Sequence, residues 1–282
     1  MMTKAKVNKI GIVQMNSGRD PEVNLAKLKK KLQGLQLQGA RWVVTPENAL
    51  IFGDREDYQR HAEPLGDGPI QQAVAELARR LELWIVVGSF PIRQSDGRLT
   101  STALVFDAQG HLVAHYHKIH MFDVEVEDKH HSYRESDTFT AGNDAVVVPT
   151  PFGNIGLSIC YDVRFAPLYT ALREQGADII VVPAAFTRVT GQAHWDVLLR
   201  ARAIETQCWV IAAAQAGEHF DGRETWGHSM VVDPWGQVVA CQPQGRGVLT
   251  ADIDLNLSHT IRTNMPLMQH AKYRVHQCHN KS

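Results

Sequence analysis

Between residues 10 and 88 the chain keeps to an order that few folds accept. Ile10-Gly11-Ile12-Val13-Gln14-Met15, Trp42-Val43-Val44-Thr45-Pro46 and Leu83-Trp84-Ile85-Val86-Val87-Gly88 are short apolar runs that read as buried strands. Asp20-Pro21 follows the first run and offers an N-cap carboxylate with proline at the first helical position. Leu25, Leu28 and Leu32 then recur at helical spacing until about Gly39. Pro69 opens a second such stretch, with Ala73, Val74, Leu77 and Leu81 on one face. A β-α-β-α-β order is the signature of an α/β layer fold.

The remainder extends this pattern. Residues 101–106 and 111–116 alternate like a hairpin around Asp107-Ala108-Gln109-Gly110. Residues 122–143 are rich in His, Asp and Glu and show no period, so they read as a long loop of the kind that usually carries function or is disordered. Residues 144–148 are expected to pair with 155–159, and Ile179-Ile180-Val181-Val182-Pro183 is another buried strand. A helix is expected over 194–208, a strand over 209–214, a hairpin turning at Asp233-Pro234-Trp235-Gly236 and a strand over 247–253, before a partly helical tail. The second half thus weakly echoes the first. With no Gly/Ser linker, charge block or low-complexity stretch, residues 1–282 are expected to form a single domain.

Composition narrows the classes of function. The chain has 282 residues, 44% hydrophobic and 21% charged, which is enough to bury a large core. A formal charge of −1 carries no electrostatic footprint for nucleic acid or an anionic membrane. No window approaches the roughly 18 apolar residues of a membrane span. The first nine residues lack the apolar core and cleavage site of a signal peptide, and Cys160, Cys208, Cys241 and Cys278 lack CxxC spacing. The cytoplasm, without a disulfide framework, is the expected setting.

Three strand-like runs end directly in a reactive side chain. Glu47 follows Trp42-Val43-Val44-Thr45-Pro46, Lys118 follows the alternating run through Leu112, Ala114 and Tyr116, and Cys160 follows Gly156-Leu157-Ser158-Ile159. Ligands of α/β layers sit at the carboxyl ends of strands, so these ends can converge on one pocket. A thiol nucleophile needs a base, which a desolvated carboxylate can be, and an ammonium can hold the oxyanion formed at a carbonyl or nitrile carbon. The strand-to-helix turn at Cys160 predicts exposed N–H groups and a helix dipole that favour thiolate. Of His115, His117 and His120, strand alternation puts only His115 and His117 on one face, and two histidines beside Lys118 without a third ligand of fixed spacing are a poor zinc set.

Taken in order, Val44-Thr45-Pro46-Glu47-Asn48, Tyr116-His117-Lys118-Ile119-His120-Met121-Phe122-Asp123, Tyr133-Arg134-Glu135-Ser136, Cys160-Tyr161-Asp162-Val163-Arg164-Phe165, Val182-Pro183-Ala184-Ala185-Phe186 and the stretch from His194-Trp195 to Glu205 resemble the nitrilase (carbon–nitrogen hydrolase) superfamily. The resemblance implies a four-layer α-β-β-α sandwich with mixed sheets, a dimer formed through the outer helix layer, and neither metal nor organic cofactor. It implies Glu47 as general base, Lys118 as oxyanion stabiliser, Cys160 as nucleophile, Glu135 as a second carboxylate beside Lys118, and the backbone N–H of Tyr161 as an oxyanion donor.

Within the superfamily the loop from Phe122 to Phe139 is most similar to the Nit branch and its deaminated glutathione amidases. That likeness implies hydrolysis of N-(4-oxoglutaryl)-L-cysteinylglycine to 2-oxoglutarate and cysteinylglycine through a thioester. An acidic amide needs cations or donors, and Arg134, Arg188, Arg164 and Tyr133 are the candidates, Arg164 also being placed to support the nucleophile turn. An ω-amidase acting on 2-oxoglutaramate, a carbamoyl-amine hydrolase and a nitrilase would share the same Glu, Lys and Cys. An inactive scaffold would normally have lost one of them.

Overall fold

The computed structural model describes residues 8–220 and 222–273. The first half runs β1 (Asn8–Gln14), α1 (Pro21–Leu37), β2 (Trp42–Val44), α2 (Arg55–His61), α3 (Pro69–Leu81), β3 (Trp84–Arg93), β4 (Leu99–Phe106) and β5 (Leu112–His117). A small ribbon, β6 (Asp123–Glu125) and β7 (Ser132–Arg134), follows. The second half runs β8 (Val147–Thr150), β9 (Gly153–Leu157), α4 (Ala166–Glu174), β10 (Ile179–Ala184), α5 (Arg188–Thr206) and β11 (Trp209–Ala214). A second ribbon, β12 (Ala216–Glu218) and β13 (Glu224–Trp226), precedes β14 (Ser229–Val232), β15 (Val238–Gln242), β16 (Gly247–Ile253), α6 (Leu255–Asn264) and α7 (Leu267–His270).

Two six-stranded sheets result, ordered β16-β1-β2-β3-β4-β5 and β15-β14-β11-β10-β9-β8. Each has a parallel centre, β1-β2-β3 in one and β9-β10-β11 in the other, with antiparallel strands on both flanks. The weak echo between the halves is therefore a repeated sheet plan.

Side-chain alternation divides the layers. Ile10, Ile12, Trp42, Val44, Val86, Ala103 and Val105 join the core cluster that includes Ile155, Val181 and Val210 of the other sheet. Their neighbours Val13, Val43, Ile85, Val87 and Leu104 pack instead with Leu28, Leu32 and Leu35 of α1 and Val74 and Leu77 of α3. A period of two sorts successive residues onto opposite faces, and strands apolar at every position are covered on both. On the far side of the second sheet, Leu168 and Leu172 of α4 and Trp195 and Leu199 of α5 complete the core. This is a four-layer α-β-β-α sandwich with mixed sheets. Among the described residues, no helix is long and apolar enough to cross a membrane.

Several local expectations change. Residues 122–143 hold the β6–β7 ribbon and a 3-10 turn, Glu135–Asp137, rather than plain loop. The third strand continues to Arg93: beyond the end of β2 at Val44, β3 pairs with β4 on one side and meets only a single bridge from Glu63 to Ile92 on the other, an edge where Pro91 is tolerated. Cys160 heads a 3-10 turn, Cys160–Arg164, and the α-helix begins only at Ala166. The tail is helical to His270, and its remainder beyond residue 273 lies outside the described residues, as does Cys278.

Candidate active site

Glu47 stands three residues past β2, on backbone fastened from both sheets. The Thr45 N–H donates to the Val86 carbonyl, and Thr45 Oγ1 accepts from the Gly88 N–H, each at 3.0 Å. A Cβ at Gly88 would come within 2.3 Å of the Pro46 carbonyl, so glycine permits this close approach. From the second sheet, Gln215 Nε2 donates to the Glu47 carbonyl at 3.0 Å. Glu47 is 5% exposed, and its Oε2 accepts from the Ala185 N–H at 2.8 Å.

Lys118 emerges at the same edge, since β5 is two antiparallel steps from β3 and so runs parallel to it. Its Nζ donates to Glu47 Oε1 at 2.9 Å and to Glu135 Oε1 and Oε2 at 2.8 and 2.7 Å. Glu135 is held in turn by the Phe122 N–H, at 2.7 Å from Oε2. Burial alone would lower the ammonium pKa, but the Glu135 and then the Glu47 carboxylates raise it well above the ordinary lysine value. Burial raises the Glu135 carboxyl above its ordinary value; Lys118 opposes this and the Glu47 charge adds to it. Two carboxylates thus share one buried ammonium.

Cys160 adopts φ +49, in the left-handed region that disfavours a residue with a Cβ by roughly 1–2 kcal/mol. The clamp that holds it there is Asp162, fully buried. Its Oδ2 accepts from the Ile159 N–H at 2.8 Å and the Tyr116 hydroxyl at 2.7 Å. Its Oδ1 accepts from the His120 N–H at 3.1 Å and lies 2.7 Å from His120 Nδ1, and the His120 ring stacks on Phe165 at 3.6 Å. Asp162→Ala would strand several buried donors, so it is expected to destabilise the fold by about 2 kcal/mol or more. Thermal unfolding of the purified variant measures this, and a melting temperature matching wild type would remove Asp162 as the clamp.

One expectation reverses. The thiol is not poised as a thiolate: burial pushes its pKa well above the ordinary value, the Glu47 carboxylate adds to this, and Lys118 only partly opposes it. A raised thiol pKa means a neutral SH below it and ionisation only above it. The thiolate ultraviolet absorbance that distinguishes wild type from Cys160→Ala should therefore show no step near the ordinary thiol value of ~8.5. A step there, or lower, would contradict the reversal.

A cavity of about 320 Å³ opens over these groups. Glu47, Lys118, Glu135 and Cys160 line it together, with Tyr161, Tyr133 and Arg134. Tyr133 is buried in the wall and its hydroxyl donates to Asp128 at 2.8 Å, whereas Arg134 is half-exposed and paired with Glu125. Arg164 and Arg188 do not line the cavity. Arg164 lies over the Tyr161 and Phe186 rings, with its Nη1 3.2 Å from His194 Nδ1, and Arg188 pairs with Glu224 at 3.1 Å. Arg164 closes the 3-10 turn and Arg188 opens α5, and from these positions each guanidinium is directed to other partners. His117 and His120 are engaged by Thr102 and Asp162, and among the described residues no group of three or more His, Cys, Asp or Glu could hold a metal ion.

Sequence reasoning missed other residues that line the cavity, among them Phe52, Tyr58 and Arg223. Phe52 and Tyr58 lie between recognised elements, and Arg223 sits in a tight turn whose only signal is Asp221-Gly222.

Residues 9–263 match the carbon-nitrogen hydrolase family, and the chain belongs to it. It is 49% identical to the deaminated glutathione amidase of Yersinia enterocolitica over 94% of this chain and 93% of that protein. It is 39% identical to the deaminated glutathione amidase of Dictyostelium discoideum, over 95% and 94% of the two chains. Among solved structures, Nit3 of Saccharomyces cerevisiae, a member of branch 10 of the nitrilase superfamily, superposes with a TM-score of 0.86 at 26% identity, covering 97% of this chain and all of the other.

Proposed function

We propose that this chain is a cysteine-dependent amidase that hydrolyses N-(4-oxoglutaryl)-L-cysteinylglycine to 2-oxoglutarate and cysteinylglycine. The observation that carries the chemistry is the buried ammonium of Lys118 held by Glu47 and Glu135 in the cavity that also contains the Cys160 thiol. The deaminated glutathione amidases it resembles support the choice of substrate.

The raised thiol pKa dictates how the first step runs. Glu47 takes the proton as Cys160 Sγ bonds to the amide carbon, so no free thiolate has to be stored. The carbonyl π electrons move to oxygen, where Lys118 and the Tyr161 N–H hold the charge. Collapse breaks the C–N bond, Glu47 passes its proton to the departing amine of cysteinylglycine, and a 2-oxoglutaryl thioester remains. Water, losing a proton to Glu47, then adds to the thioester; the proton returns to sulfur as the C–S bond breaks, and 2-oxoglutarate leaves. Glu135 keeps the ammonium aligned through both steps.

Side-by-side kcat/KM values on deaminated glutathione, 2-oxoglutaramate, a carbamoyl amine and an aliphatic nitrile test the assignment. The first should be highest, and a preference for any other would replace it. The proposal also takes residues 1–282 as one folding unit working in the cytoplasm, which a single unfolding transition and cell fractionation check. It includes a homodimer across the outer helices, supported by Val189, Val197 and Ile204 of α5, which are 45%, 66% and 49% exposed. Sedimentation of a lone protomer at micromolar concentration would remove the dimer.

A further inference from the structure

Helix α2 buries two side chains, Asp57 and Tyr58. Asp57 is fully engaged: its Oδ2 accepts from Arg19 Nε at 2.5 Å and from the Asp54 N–H at 3.1 Å. A Cβ at Gly53 would come within 2.5 Å of the same oxygen, so glycine lets the preceding loop lie against the helix. That approach brings the Gly53 N–H to the Tyr58 hydroxyl, at 3.4 Å.

Tyr58 is 7% exposed, its ring packs on Phe139 with centroids 5.1 Å apart, and it lines the cavity together with Glu47, Lys118 and Cys160. A phenol hydroxyl has one proton to donate and lone pairs with which to accept. The Gly53 N–H takes the accepting side, and among the described residues no acceptor takes the proton. That proton stays on the oxygen at neutral pH. Burial raises the phenol pKa, and the Glu47 and Glu135 charges add to the rise against the opposing charge of Arg223. Phenylalanine would pack on Phe139 equally well without burying a hydroxyl, so packing does not account for the oxygen.

We infer that Tyr58 is a specificity residue of the cavity, its hydroxyl donating a hydrogen bond to an acceptor oxygen of the substrate outside the reacting amide, so that amides carrying such an oxygen are selected over plain alkyl ones. This rests on the amidase reading above. The proposed substrate offers such oxygens in its ketone, in the carboxylate beside it and in its peptide half. The test therefore uses 4-oxopentanamide (ketone only), glutaric acid monoamide (carboxylate only), pentanoyl-cysteinylglycine (peptide half only) and pentanamide (none of these).

The readout is the ratio of kcat/KM for each of the first three amides to that for pentanamide, in wild type and Tyr58→Phe. At least one ratio should fall by about 10-fold or more in the Phe variant, because a substrate oxygen desolvated against a bare ring is left unpaired. The ratio that falls identifies the oxygen that Tyr58 holds. Unchanged ratios, including an equal loss on all four amides, would overturn the inference. Without substrate, the melting temperature of Tyr58→Phe should match or exceed that of wild type; a lower one with unchanged ratios would show that the hydroxyl serves the Gly53 N–H alone. Should Tyr58→Phe fail to fold, Tyr58→Met is read in the same way. If wild type hydrolyses no amide, the amidase reading fails and calorimetric binding of 2-oxoglutarate and of cysteinylglycine takes over: weaker binding of either by Tyr58→Phe supports the donor, and unchanged binding of both rejects it.

Discussion

Cys160→Ala is expected to abolish amide turnover, by at least about 10⁴-fold in kcat, while the protein still folds. Covalent catalysis has no substitute in this cavity: Glu47 and Lys118 can move a proton and hold an oxyanion, but neither supplies the attacking sulfur. Alanine retains a Cβ, so the backbone keeps the same left-handed penalty at φ +49, and the clamp made by Asp162 is untouched. Stability should stay within about 1 kcal/mol of wild type, because a buried neutral thiol acts mainly as a small apolar group. Steady-state hydrolysis and thermal unfolding read the two halves of this result. Retained turnover would remove Cys160 from the chemistry, whereas lost turnover with a collapsed fold would leave the two roles confounded, in which case Cys160→Ser serves as the second variant.

Lys118→Met should fail in both respects. Its side chain is 2% exposed and its ammonium balances two largely buried carboxylates, and breaking such a group by removing one partner typically costs about 3–5 kcal/mol. Loss of an oxyanion donor lowers kcat by a further ~10²–10³-fold. The pH dependence has a definite sign. Glu135 already has a raised carboxyl pKa, and Lys118 is what opposes that rise, so the variant raises it further. A carboxyl whose folded pKa exceeds its unfolded value of ~4.3 contributes stability below that value and loses it as pH climbs through the folded pKa. The melting temperature of Lys118→Met should therefore fall relative to wild type as pH increases from mildly acidic to mildly alkaline. Parallel melting curves for the two proteins across that range would show that the carboxylates are not relying on Lys118.

How much of this could be read in advance depended on whether the signal was local. Asp20 caps α1 through the Glu22 and Val23 N–H groups, as its place before Pro21 suggested, because capping involves only neighbours in sequence. Glu47, Lys118 and Cys160 were visible as strand ends, and the layered fold brings such ends to one edge. Helix α2 was not visible. Its residues Arg55-Glu56-Asp57-Tyr58-Gln59-Arg60-His61 bury only Asp57 and Tyr58, so no apolar stripe exists, and its capping box between Asp54 and Asp57 looks like any acidic pair. The thiol failed for another reason. Its place in a turn argued for thiolate, but the burial and the Glu47 charge that reverse the sign come from the assembled sandwich. The place of Arg223 in the cavity lining was likewise not legible, because the Phe52 and Tyr133 rings it lies over come from distant segments. Arg188, adjacent to a recognised motif, turned out to serve Glu224.

The central claim is that Cys160 becomes acylated during turnover, and rapid acid quenching followed by mass spectrometry tests it most directly. Wild type mixed with excess N-(4-oxoglutaryl)-L-cysteinylglycine should carry one 2-oxoglutaryl group, the mass of 2-oxoglutaric acid less water, on the peptide containing Cys160. Turnover of the same substrate with that peptide unmodified at every quench time, or with the adduct on Cys208 or Cys241, would contradict the account.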